Sequence, residues 1–196
     1  MEIPDTLNNF LKPLLFTQPV DEKELPANLS RQFSSIVSHY QNKRGNSLLF
    51  AGGSAPENAF AASLLGKHVA RDVYRIDLSA AASSHLGETE KNLLQVFEFS
   101  EQHSFILLID EADSLFSKRS NIRSDDERYA NLEISYLLKR IAAYPGLVII
   151  TTNARDDLDD TLLRAVPWQI DLSHPVARRR LPLWQRFFNR FRKQKL

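Results

Sequence analysis

The sequence contains no cysteine. A disulfide framework and a thiolate metal site are both excluded. No apolar run approaches the roughly 20 residues needed to cross a bilayer as a helix. The N-terminus, from Met1 to Phe16, has acids but no basic region leading into a long apolar stretch, so it does not read as a signal peptide and a cytoplasmic location is expected. Internal repeats and low-complexity tracts are absent. Acidic residues are missing from Arg178 to Leu196, a stretch rich in Arg and Lys, although the whole 196-residue chain carries a formal charge of only +1. Global charge therefore names no partner, whereas its distribution marks the C-terminal end.

What is present is a chain long enough for one sizeable core, with 43% hydrophobic and 25% charged residues, ordinary for a globular domain. Prolines at 4, 13, 19 and 26 make residues 1–26 an N-terminal arm, with a short helix expected over Asp5–Leu15. Phe33, Ile36, Val37 and Tyr40 recur at helical spacing within Ser30–Gln41. Further helices are expected over Phe60–His68, Glu88–Gln102, Arg128–Ala143 and Leu183–Arg192. Strands are expected over Ser47–Ala51, Val73–Leu78, Phe105–Ile109, Leu147–Thr152 and Gln169–Leu172. Continuous apolar runs such as Phe105–Ile109 suit strands buried on both faces of a parallel sheet. Strand and helix alternate, so the fold class is α/β, a parallel sheet with helices on both faces. In such sheets ligands sit beyond the carboxyl ends of the strands, where Gly52, Asp77, Asp110 and Asn153 fall. The sheet domain is placed at 27–176, followed by a basic C-terminal segment at 177–196.

The segment Phe105-Ile-Leu-Leu-Ile-Asp110-Glu111-Ala-Asp113 is an apolar strand ending in paired acids. Such an Asp can hold Mg²⁺ and the adjoining Glu can polarise a water. Equally, the acids can cap the following helix. Three further segments occur in a fixed order around it: Gly87-Glu-Thr-Glu-Lys91, Thr151-Thr-Asn153 and Leu162-Leu-Arg164. Taken together they resemble the AAA+ family of P-loop ATPases from about Leu25 to Phe188. The stretch Arg123–Lys139 resembles a bacterial subgroup that includes ATPases encoded with contractile injection systems. The resemblance implies ATP and Mg²⁺ as cofactors, Asp110 at the metal, and Glu111, Asn153 and Arg164 as catalytic residues. Arg164 would stand as a finger toward a neighbouring subunit's nucleotide, or else as a plain helix-end charge. An AAA+ oligomer or another protein partner is implied, with chaperone-like work.

The phosphate loop departs from the family pattern GxxxxGK(S/T). Gly52, Gly53, Ser54, Ala55, Pro56, Glu57, Asn58 and Ala59 occupy that frame without a gap. Gly52 keeps the first glycine, whereas Glu57 stands at the second, Asn58 at the lysine and Ala59 at the hydroxyl residue. The loop ordinarily presents backbone N–H groups to phosphates. Glu57 adds a negative charge there, and its Cβ disfavours a positive φ. Pro56 removes a possible N–H donor, Asn58 brings no cation, and Ala59 brings no ligand for Mg²⁺. One charge pair at about 4 Å and an effective dielectric of about 20 is worth on the order of 4 kcal/mol. Micromolar affinity is about 8 kcal/mol in all, so two reversed charge terms outweigh most of it. The expectation is a pseudo-ATPase acting as a scaffold, assembly or regulatory module. The alternative is an ATPase with an atypical loop.

His85 stands where many family members carry a pore aromatic, but it reads first as a solvent-exposed loop histidine. The small helical lid that follows the sheet in the family is expected to be missing. In its place Trp184, Phe187, Phe188 and Phe191 share one helical face, with Arg186, Arg190, Arg192 and Lys193 off it. This helix packs on the domain or a partner, or else binds an anionic membrane or nucleic acid.

Overall fold

The structure is a computed structural model that describes residues 3–14, 27–40, 46–81, 87–110, 112, 125–153, 158 and 160–172. The expectations for His85, Glu111, Asp113 and the basic helix within 177–196 lie outside the described residues.

Among the described residues, six strands form one sheet in the order β1-β3-β4-β5-β2-β6. They are β1 (Leu11–Pro13), β2 (Asn46–Ala51), β3 (Val73–Ile76), β4 (Ile106–Ile109), β5 (Leu147–Thr152) and β6 (Trp168–Asp171). All neighbouring pairs are parallel except β1 with β3. Every residue of β4 and β5 is buried, as continuous apolar runs between two layers require. Alternation divides the core in two. Leu107, Ile109, Val148 and Ile150 face one cluster, and Ile106, Leu108, Leu147 and Ile149 face the other.

Helices cover both faces. The second cluster is closed by Leu29, Phe33 and Ile36 of α1 (Ala27–Tyr40) and by Ala61, Ala62, Leu64 and Leu65 of α2 (Ala55–Val69). The first is closed by Leu93, Val96 and Phe97 of α4 (Glu88–His103), Leu137 and Ile141 of α5 (Asp125–Ala143) and Leu162 of α6 (Asp160–Ala165). A one-turn helix, α3 (Leu78–Ala81), follows β3.

Two expectations are corrected. Residues 5–14 do not form a helix: turns span 5–10, and Leu11–Pro13 pairs antiparallel with β3. Pro13 lacks an N–H, which an edge position tolerates. Leu7 and Leu11 are buried in the core and hold this segment down. The helix expected from Phe60 begins at Ala55, five residues earlier. Pro56 is its second residue, where no intrahelical N–H bond is lost.

Candidate functional site at the carboxyl ends of the strands

β2 ends at Ala51, and the turn into α2 begins with Gly52 at φ 80°. Glycine adopts that left-handed conformation without a Cβ clash. The turn is anchored on both sides. The Gly52 N–H donates to the Thr152 carbonyl at 2.9 Å, and the Leu172 N–H donates to the Ala51 carbonyl at 2.7 Å.

Ser54 is the N-cap of α2 and Glu57 its third residue. Glu57 Oε2 accepts the Ser54 N–H at 2.9 Å and the Ser54 hydroxyl at 2.6 Å. The Ser54-x-x-Glu57 spacing is that of a capping box. The carboxylate also places negative charge at the positive end of the helix dipole. Glu57 is therefore helical, and the expected conflict with a positive φ at that position does not arise.

Asn58 is 2% exposed. Its Nδ2 donates to the Gly53 carbonyl at 3.0 Å, and its N–H donates to the Ser54 carbonyl at 2.9 Å. Asn58 Oδ1 is buried without a hydrogen-bond partner. A Cβ on Gly53 would lie 2.3 Å from that Oδ1 and 3.0 Å from Leu172 Cβ. The amide therefore turns inward and fills the hollow of the turn, and Gly53 leaves room for it. Ser54 and Ala55 are exposed, and Ala59 is half-buried.

Asp110 follows β4 and is half-buried. Its Oδ1 accepts the Thr151 hydroxyl at 2.5 Å. Its Oδ2 lies 3.9 Å from the Arg75 guanidinium of β3, which is about half exposed. Asp77, at the end of β3, takes the Lys12 ammonium of β1 at 3.0 Å. It also accepts the Ala80 N–H at 3.0 Å. That N–H chiefly, and then Lys12, hold the Asp77 carboxyl below its ordinary range.

The sheet thus brings the turn Gly52–Ala59 and Asp110 to one edge, on either side of the end of β5. Asn153 stands exposed just beyond β5, and Arg164 is exposed in the last turn of α6. Four residues of this edge were not singled out from sequence as partners: Ser54 to Glu57 in its capping role, Arg75, Thr151 and Lys12. Only the Ser-x-x-Glu spacing carried a local signal. Among the described residues, no three His, Asp or Glu side chains gather as a metal site.

Residues 58–173 match the family described as "ATPase family associated with various cellular activities (AAA)", more than half of the chain. The chain belongs to the AAA family. The match begins at Asn58, so the turn Gly52–Glu57 stands before it. Two relatives illustrate the range within the AAA family. ATPase family gene 2 protein of Schizosaccharomyces pombe is 36% identical over 94 residues, which are 47% of this chain and 12% of that protein. The uncharacterized AAA family ATPase y4kL of Sinorhizobium fredii is 26% identical over 147 residues, 75% of this chain and 44% of that protein. The chain thus spans under half the length of either. The structure of an E. coli MS115-1 HORMA:CdnC:Trip13 complex contains a similar fold, with a TM-score of 0.61 at 15% identity, covering 86% of this chain and 71% of that one. The AAA family in general binds nucleotide with Mg²⁺, and its members commonly assemble with proteins. No helix among the described residues is long and apolar enough to cross a membrane.

Proposed function

We propose that this AAA domain is a pseudo-ATPase that works by protein–protein contact, as a scaffold, assembly or regulatory module. The observation that carries the reading is the Glu57 carboxylate on the Ser54 N–H and hydroxyl. An anion at a helix N-terminus needs free N–H donors. Here an internal carboxylate takes the Ser54 donor and repels a second anion. The inward-turned Asn58 fills the hollow and brings no positive charge. A methyl group, at Ala59, stands where a Mg²⁺-holding hydroxyl would be needed. These residues do not fit a triphosphate held in the manner of the AAA family. The partner is another AAA subunit, to which the exposed Arg164 would be offered.

Phosphate release from ATP by the purified chain, beside the Glu111→Gln variant, tests the reading. Equal background rates for both support it. Turnover lost in Glu111→Gln would make the chain an ATPase with an altered loop. A second discriminating construction is Glu57→Gly, Asn58→Lys and Ala59→Thr combined. Gain of nucleotide binding would assign the loss to these three positions alone.

A further inference from the structure

Asp110 raises a question that the loop does not answer: an acid associated with Mg²⁺ persists beside a turn unsuited to phosphate. Its surroundings supply an answer. β3 sends Val73 to the α1–α2 side of the sheet and Tyr74 to the other, so Arg75 projects toward the α1–α2 side. The same alternation puts Asp110, two residues after Leu108, and Thr151, two after Ile149, on that side as well. In register, Arg75 pairs with Leu108 and Leu108 pairs with Ile149. Asp110 therefore lies diagonal to Arg75 and level with Thr151, distances that long side chains bridge.

We infer that Asp110 serves as one link in a row of alternating charges lacing four adjacent strands, with the Arg75 guanidinium supplying the positive charge that a divalent cation would otherwise supply. The row runs from Lys12 of β1 to Asp77 at the end of β3, then Arg75 of β3, Asp110 after β4 and the Thr151 hydroxyl of β5. Each carboxylate has a neighbour of opposite charge, and Arg75 acts on Asp77 as well as Asp110. Both Asp110 oxygens face protein groups. The Thr151 hydroxyl directs its proton at Oδ1, and a guanidinium stands off Oδ2. A cation approaching Oδ2 meets the positive charge of that guanidinium. Arg75 and Lys12 are thus positioning residues: Lys12 satisfies Asp77 and leaves Arg75 to Asp110.

The inference deepens the reading of the same edge, and its test is kept apart from the loop by omitting nucleotide. Mn²⁺ is titrated into the intact wild-type chain and followed by electron paramagnetic resonance. The expected result is a free-ion spectrum at millimolar metal, with the same thermal midpoint in Mg²⁺ and in chelator. Thermal melts of Arg75→Gln, Asp110→Asn and the double variant accompany it. Arg75→Gln should lower the midpoint by roughly 2–4 °C, and should lower it far less once Asp110→Asn is present. Mn²⁺ bound by the wild type would overturn the inference without any variant having to fold. Additive losses for Arg75→Gln and Asp110→Asn would overturn it also. ATP binding that leaves these results intact would sink the loop reading alone.

Discussion

Glu57 Oε2 lies 2.9 Å from the Ser54 nitrogen and 2.6 Å from the Ser54 hydroxyl, so the first turn of α2 is closed by its own carboxylate. That one contact links the local chemistry of a helix start to the reading of the whole domain. It stabilises α2 and uses a backbone donor at the place where an AAA domain generally meets an anion.

Glu57→Ala removes a capping partner and should cost about 0.5–2 kcal/mol, within the range for lost N-terminal caps. Glu57→Gln retains an acceptor for the Ser54 N–H and should lose less. Urea denaturation of the three proteins checks the order wild type, Gln, Ala. An Ala variant as stable as wild type would show that the contact contributes nothing to the fold.

Gly53→Ala places a methyl against Asn58 Oδ1 and Leu172. Overpacking of this kind should cost about 1–3 kcal/mol. Because the nearest atom belongs to Asn58, the cost should shrink in an Asn58→Ala background. A double-mutant cycle measures the coupling. Strict additivity would mean that the Asn58 amide does not occupy the turn.

Tyr144 donates its hydroxyl to the Phe105 carbonyl at 2.6 Å. Burial, foremost, raises its pKa above the ordinary 10.0. A folded pKa above the unfolded one means that the native state retains the proton longer. The stabilisation is full below about pH 10 and declines as pH rises above it. Tyr144→Phe should be less stable at neutral pH by about 1 kcal/mol and should flatten the alkaline limb. Thermal midpoints between pH 8 and pH 11 test this. An unchanged alkaline limb would remove Tyr144 from the account.

Much of the architecture was legible because its causes are local or periodic. Phe105–Ile109 and Leu147–Thr152 read as strands buried on both faces of a parallel sheet from their continuous apolar runs, and the strands Ile106–Ile109 and Leu147–Thr152 are so buried. Leu11–Pro13 was not legible as a strand. Its structure comes from pairing with Val73–Ile76, more than 60 residues away, and not from its own pattern. The early start of α2 was legible in principle through the Ser54-x-x-Glu57 spacing of a capping box, which falls inside the phosphate-loop frame. Thr151 and Arg75 gave no sequence signal as partners of Asp110, because strand register alone brings them together. Asn153 and Arg164 were both picked out by motif, but only Asn153 is exposed at the carboxyl edge; Arg164 is exposed beside Ala165, whose carbonyl accepts the Ser47 hydroxyl near the start of β2, at the amino edge of the sheet.

The central claim is that the turn after β2 is filled by its own side chains and does not grip a nucleoside triphosphate. Calorimetric titration of the wild-type chain with ATP and Mg²⁺ tests it most directly. The account predicts no saturable heat up to millimolar nucleotide. Saturable binding at micromolar ATP would contradict it, because Glu57 and Asn58 would then have to leave the positions that define the turn.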